Sequence, residues 1–422
     1  MSLSCKRKLL VLLGAGSSIP CGMPSIGMID DKMKEWSREW KSEPAFPNGT
    51  GRGIFNDVWE IVESYYRQNP RPHLGLRVNY ERILGEMTAL ASWATPSPFG
   101  NALRLAVRDS TPAETFTWPR NRPEPFFYRQ LILEQASFLL GKLADYMRER
   151  SLSLDVNSPA FLGYRKFFSR LREEYDLGVY NLNYDDVAWR AWPEAFTGFQ
   201  NRKFDARAVS LRNEWNFIYH LHGSVHYSFC DPPFKHALEW RDDLKGEFET
   251  CQAAFPDMAS EFKPIIPTTL IAGGHKLDQL LADPPQTFHA SLVRHAHEAD
   301  AVLIVGYGFG DVHVNRALQN RFDLLPFDPR GRPPAVVIEK NDPSVGATST
   351  RQVQDFWGWT MTHTSNTRFQ LASPPSNTGP TVAPLLQSGE LEQDMSSRTA
   401  IWHNGFIEAL GAIDKIMAWL RR

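Results

Sequence analysis

Cysteine is scarce in this chain, with only Cys5, Cys21, Cys230 and Cys251 among 422 residues. No pair has C-x-x-C spacing, which argues against a zinc ribbon and against a dense disulfide framework. An excess of positive charge is also missing. Forty-six Lys and Arg against 48 Asp and Glu leave a formal charge of −2, so a generally cationic nucleic-acid binder is not expected, although a local basic patch stays open. No segment approaches the ~20 consecutive apolar residues that span a bilayer. The G-x-S-x-G elbow, the Walker sequence G-x-x-x-x-G-K-[ST] and the H-E-x-x-H zinc helix are absent as well. What is present is an apolar fraction of 42% with 12% aromatics, which indicates a globular chain long enough for two or three domains. Lys6-Arg7-Lys8 before Leu9 to Leu13 imitates the start of a signal peptide. The apolar stretch is short and runs straight into glycines, so a soluble, cytoplasmic protein is expected.

Lys8 to Leu13 reads as a buried parallel strand. Ile29, Met33, Trp36 and Trp40 then mark one face of a helix, read as core packing. Residues 41–53 read as a loop. From Phe55 to about Arg150 the pattern is helical, clearest at Ile132, Ala136, Leu139, Leu143 and Tyr146, with a Pro-rich interruption from Thr111 to Pro125. Strand-like runs return at 177–180, 217–219, 264–266, 301–305 and 335–338, with helical patterns between several of them. The expectation is an α/β fold: a Rossmann-like, doubly wound, mostly parallel sheet with an inserted helical module. The implied divisions are 1–40 and 166–345 for the sheet domain, 41–165 for the insertion, and 346–422 for a C-terminal extension. Within that extension, 373–399 reads as a flexible segment. Trp402, Phe406, Leu410, Ile413, Met417 and Leu420 predict an amphipathic helix from about Thr399 to Arg421, docked on its own domain or on a partner.

Four motifs sit at the ends of strand-like runs. Gly14-Ala15-Gly16-Ser17-Ser18 follows the first strand, where backbone N–H groups could meet a pyrophosphate; a plain tight turn accounts for it equally well. The dehydrogenase fingerprint fails, because Ile19 stands where Gly or Ala belongs. Asn183-Tyr184-Asp185 offers an amide able to hold a ribose hydroxyl or a water, or simply to cap a turn. Asp185 would support that site, and Asp186 would point elsewhere. His220-Leu221-His222-Gly223-Ser224 places His222 before a permissive glycine, as a base or as a structural histidine. Gly306-Tyr307-Gly308-Phe309-Gly310-Asp311 is a second glycine turn, pressed on a ligand or merely leading into a helix. His289, His295 and His297 lie on a charged helical stretch with no metal-ligand spacing.

In their order, these motifs resemble the SIR2 (sirtuin-like) superfamily, and within it the bacterial SIR2-like NADases of anti-phage defence paired with a HerA-like ATPase. The resemblance implies NAD+ as substrate, with Asn183 positioning the nicotinamide ribose and water, and His222 as the catalytic histidine. Gly14, Ala15, Gly16, Ser17 and Ser18 would cradle the pyrophosphate. Asp185, Gly306, Tyr307, Asp311 and Glu339 would complete the cofactor site, with Glu339 and Asn341 near the adenosine ribose. Two departures matter: the zinc ribbon and the Asp-Phe-Arg segment of deacetylating sirtuins are missing. Peptide deacylation is therefore disfavoured, no metal is expected, and hydrolysis of NAD+ to nicotinamide and ADP-ribose remains. Nicotinamide leaves a cationic pyridinium as a neutral amine, so such a site needs only to stabilise the sugar cation and supply water. The resemblance also implies a homo-oligomer and a HerA-like partner, with no membrane role. The alternatives are a non-catalytic NAD or ADP-ribose sensor, and an ADP-ribosyltransferase or deacylase.

Overall fold

Leu9 to Leu13 are all buried, and their side chains alternate between two core clusters. Leu9, Val11 and Leu13 enter one cluster, while Leu10 and Leu12 enter the other. A continuous apolar run behaves this way when a strand is covered on both faces. The computed structural model describes residues 6–40, 53–68, 78–93, 125–230, 237–251, 266–273, 276–280, 282–323, 332–340, 391–394 and 398–422.

The main sheet contains β1 (Arg7–Leu13), β2 (Tyr175–Asn181), β3 (Asn216–His220), β4 (Ala301–Val305), β5 (Ala335–Ile338), β6 (Glu392–Asp394) and β7 (Thr399–Trp402). Their spatial order is β6-β7-β5-β4-β1-β2-β3. Every pairing is parallel except that of β6 on β7. The chain winds from β1 to β3 on one side and from β4 onward on the other, so the topological switch lies between β1 and β4. The doubly wound, mostly parallel fold is the one the sequence predicts.

The helix Pro159–Glu174 covers one face. Ser158 caps it by accepting from the Phe161 N–H at 3.3 Å, and Pro159 opens it. The C-terminal helices Gly405–Gly411 and Ile413–Leu420 share that cluster through Phe406, Ile416, Met417, Trp419 and Leu420. Docking on the chain's own domain is thus observed. Arg421 and Glu174 also pair at 2.6 Å, yet an exposed ion pair contributes only about 0–1 kcal/mol. Burying each of Met417 and Leu420 contributes about 2 kcal/mol, so the apolar face fixes the terminal helix. The opposite sheet face is covered by the helices Pro285–Glu298 and Val312–Asp323.

Several expectations are corrected. Thr399 to Trp402 form β7 instead of the start of a helix: Ala400 and Trp402 face one core cluster and Ile401 the other, the alternation of a strand. Gly405, with φ of +81°, then turns the chain into the helix. Residues 392–394 and 399 fall within the stretch read as flexible but are strand, and 373–390 lie outside the described residues. Of the run 264–266, only Ile266 is described, and it is not in a strand.

Two compact units divide the chain: 1–23, 150–222 and 283–422 in the first, 24–149 and 223–282 in the second. The divisions differ from those read in the sequence, because 24–40 and 223–282 pack with the helical unit and 150–165 with the sheet. In the second unit, buried polar side chains cap helices across space. Asp30, in the helix Ile26–Glu39, accepts from the Tyr80 N–H at 2.7 Å, at the start of Tyr80–Trp93. Gln135, in the helix Pro125–Leu152, accepts from the Phe55 N–H at 2.7 Å, at the start of Ile54–Gln68. Ile29, Met33 and Trp36 are buried as their spacing predicts, as are Ile132, Ala136, Leu139 and Leu143. Nearly all of the expected loop 41–53 and Pro-rich stretch 111–125 lies outside the described residues.

Candidate active site

A single register row crosses the parallel strands. Leu13 pairs with Asn181 and Val305, Asn181 pairs with His220, Val305 with Ile338, and Ile338 with Trp402. The next residue on each strand therefore leaves the same C-terminal edge: Gly14, Leu182, Leu221, Gly306, Glu339 and His403. All four motifs start on this edge, where open α/β sheets bind ligands. Asn183 and His222 each lie two residues beyond the Asn181–His220 pair, on neighbouring strands.

At the switch point, the first glycine loop meets the loop after β4. The Gly16 N–H donates to the Gly306 carbonyl at 3.0 Å. A Cβ on Gly14 would fall 2.6 Å from the Gly306 oxygen. At Gly306, where φ is +60°, a Cβ would fall 2.5 Å from the Gly16 Cα. These glycines press the two loops together. Ala15–Ser18 is a single helical turn followed by the 3-10 turn Ile19–Cys21. It is not the long helix of a dinucleotide fingerprint. Ala15 is exposed and Gly16 half-buried, so their backbone is what a ligand at this edge would meet.

Asn183 locks this loop from below. Its Nδ2 donates to the Gly14 carbonyl at 3.0 Å, Ser17 Oγ at 3.2 Å and Ser18 Oγ at 2.9 Å. With those protons committed, a ligand would meet the amide through Oδ1, an acceptor. Ser17 donates to the Gly14 carbonyl at 2.8 Å, and Ser18 donates to Asp185 Oδ1 at 3.0 Å. Asp185 also accepts from the Val187 N–H at 3.1 Å, at the start of the short helix Val187–Ala191. Burial, with Asp186 adding to it, pushes the Asp185 carboxyl up to about 7 against the bonds from Val187 and Ser18. Asp186 does turn elsewhere, pairing with Arg190 at 2.6 Å.

His222 is buried and faces the β4 loop. Its Nε2 lies 3.3 Å from His313 Nε2 and 3.9 Å from Asp311 Oδ1. Gly223 follows it with φ of +90°, the sharp turn its glycine permits. The loop carrying Asp311 is bonded internally. Tyr307 Oη accepts from the Asp311 N–H at 3.0 Å and donates to Asn315 Oδ1 at 2.9 Å, while Asn315 Nδ2 donates to the Phe309 carbonyl at 2.8 Å. Tyr307 therefore shapes this loop through its hydroxyl. Glu339 is buried on the same edge and pairs with His403 Nδ1 at 2.8 Å. Asn341 lies outside the described residues.

Sequence reasoning missed two residues. His313 carried no signal, because its relation to His222 spans 91 positions. His403 falls within the helix predicted from about Thr399, whereas the β7 alternation places it at a strand end.

Against this geometry, the comparison with known families is specific. Residues 178–357 match the model of the SIR2-like domain. The SIR2-like match includes Asn183, Asp185, His222, the 306–311 loop and Glu339, and begins after the first glycine loop. Among solved structures, a mutant Sir2 homologue in complex with 2′-O-acetyl ADP-ribose is similar at 12% identity, covering 86% of this chain and 94% of that one, with a TM-score of 0.32. A Sir2 homologue in complex with NAD is similar at 11% identity over 84% and 91%, with a TM-score of 0.33. A comparison with curated proteins gave no match. Identities and scores this low assign neither ligand nor activity to this chain.

Proposed function

We propose that this chain hydrolyses NAD+ to nicotinamide and ADP-ribose. The observation that carries the reading is that Asn183 and His222 each follow one register pair by two residues at the same sheet edge, with Asn183 bonded to the 14–18 loop. The SIR2-like match over 178–357 supports it.

In this reading the pyrophosphate meets the Ala15 and Gly16 backbone. Asn183 Oδ1 accepts from a ribose hydroxyl or from the attacking water. The C1′–N bond breaks with its electron pair passing to the pyridinium nitrogen, which releases neutral nicotinamide. Water forms the new C1′–O bond, and His222 takes its proton before returning it to solvent. A general base of this kind contributes about 10²–10⁴-fold. Asp185, held by Ser18, fixes the 14–18 loop against Asn183. Glu339, with His403, borders the adenosine end.

The biological setting we propose is the one the sequence resemblance implies: depletion of NAD+ during phage infection by a cytoplasmic homo-oligomer, controlled by a HerA-like ATPase. The test is incubation of the full chain with NAD+, alone and with the product of the neighbouring gene, followed by product analysis. Nicotinamide and ADP-ribose in equal amounts are expected. Binding of NAD+ without turnover in both mixtures identifies a sensor instead, and ADP-ribose attached to protein identifies a transferase.

A further inference from the structure

We propose that His222, Asp311 and His313 form a site for a divalent transition-metal ion of the zinc class. Occupancy, on the reading of His222 as the base, would switch hydrolysis off.

The proposal starts from a distance. A tetrahedral ion bound to nitrogen at about 2.05 Å holds its ligand atoms about 3.3 Å apart. The Nε2 atoms of His222 and His313 stand 3.3 Å apart, the edge length of such a tetrahedron. Asp311 Oδ1 is 3.9 Å from His222 Nε2, so a shift of about 0.6 Å brings the carboxylate to that edge length from His222. All three ligand atoms lie within 4.8 Å of one another.

The surroundings hold that arrangement. His222 and His313 are both buried. Asp311 and His313 follow a loop fixed by the Tyr307 and Asn315 bonds, in which Phe309 takes a left-handed φ of +54°. His289 Nε2 donates to the His313 carbonyl at 3.3 Å, anchoring the backbone that presents the ligand. Two imidazoles and one carboxylate suit zinc, cobalt, nickel or copper; magnesium and calcium prefer all-oxygen sets. Three protein ligands leave a fourth position for water.

Occupancy opposes the proposed reaction for two reasons. The metal takes the Nε2 lone pair that His222 needs to accept a proton. A divalent charge also stands beside a substrate whose pyridinium is cationic and whose sugar becomes more so as the bond breaks.

The test uses the full chain stripped with a chelator and titrated with Co²⁺ and Zn²⁺. One ion per chain is expected, with the visible absorption of four-coordinate cobalt that zinc displaces. Second-shell changes already lower metal affinity about 10–100-fold, so loss of a direct ligand in His313→Ala should lower it at least about 100-fold. His313→Cys, which keeps a ligand, should restore the four-coordinate spectrum. Absence of stoichiometric binding, or His313→Ala binding as tightly as the parent, overturns the site. In the turnover arm, zinc should suppress hydrolysis in the parent chain and leave His313→Ala unaffected; a zinc-loaded parent that hydrolyses undiminished overturns the switch. The binding arms decide the metal site even for a chain that never turns over NAD+, and hydrolysis by the stripped protein decides the reaction independently.

Discussion

Asn181 and His220 stand directly opposite one another on adjacent parallel strands, and the two polar side chains of the proposed reaction, Asn183 and His222, follow each of them by two residues. The amide at 183 is also the clamp on the first glycine loop, so the proposed chemistry and the architecture meet in one residue.

That double role predicts a split between two substitutions. Asn183→Ala should lose NAD+ hydrolysis and also destabilise the fold by about 1–3 kcal/mol, because its three acceptors lose their donor. Ser18→Ala removes one link to Asn183 and the link to Asp185, at about 1–2 kcal/mol, with the other Asn183 bonds intact. Denaturant titration of both variants beside the parent checks the order. Equal stability of Asn183→Ala and parent contradicts the clamp.

The glycine contact at the switch point predicts a steric failure. Gly306→Ala would place a Cβ 2.5 Å from Gly16 Cα at a φ of +60°, and neither backbone can yield without separating the loops. The loss should be at least about 2 kcal/mol. Gly310→Ala meets nothing within 4 Å and should be close to neutral. Thermal unfolding of the two variants distinguishes packing from a general intolerance of this loop.

Asp185 predicts a pH dependence. Its carboxyl rises from 3.8 to about 7 in the folded chain, so the fold favours its neutral form. The stability this gives is complete below the unfolded value near 3.8, is lost as pH rises through about 7, and changes no further above that. Asp185→Asn keeps a neutral acceptor. Its stability relative to the parent should therefore improve from pH 4 to pH 7.5, by on the order of 4 kcal/mol. A pH-independent difference between the two proteins contradicts the assignment.

His295 carries the opposite sign. Arg294 donates to its Nε2 at 2.8 Å, so the ring proton sits on Nδ1 and is donated to the Tyr180 hydroxyl at 2.7 Å. Burial, aided by Arg294, lowers this histidine from 6.5 to about 4. The stability it supports is present above 6.5 and lost as pH falls through about 4. His295→Gln should flatten that acid limb in denaturant titrations between pH 6.5 and 4.

Much of this was legible in the residues. The run Leu9 to Leu13 announces a strand covered on both faces, and the polar residues just past the strand ends do share one C-terminal sheet edge. Asp186, read as turned away from Asp185, does pair with Arg190. Other features were hidden for physical reasons. Spacing along the chain says nothing about His313 meeting His222, because that contact depends on which strands become neighbours. Trp402 satisfies a helical stripe and a strand alternation equally, so pairing with β5 decides between them. The close fit of Gly14 and Gly16 against Gly306 was hidden as well, because it brings together two loops far apart in the chain.

The most direct measurement is the rate of nicotinamide release from NAD+ by the parent, Asn183→Ala and His222→Ala proteins, each checked for folding by circular dichroism. The account predicts release by the parent and a fall of at least about 100-fold in both variants. Parent-like release from a folded His222→Ala chain would contradict it.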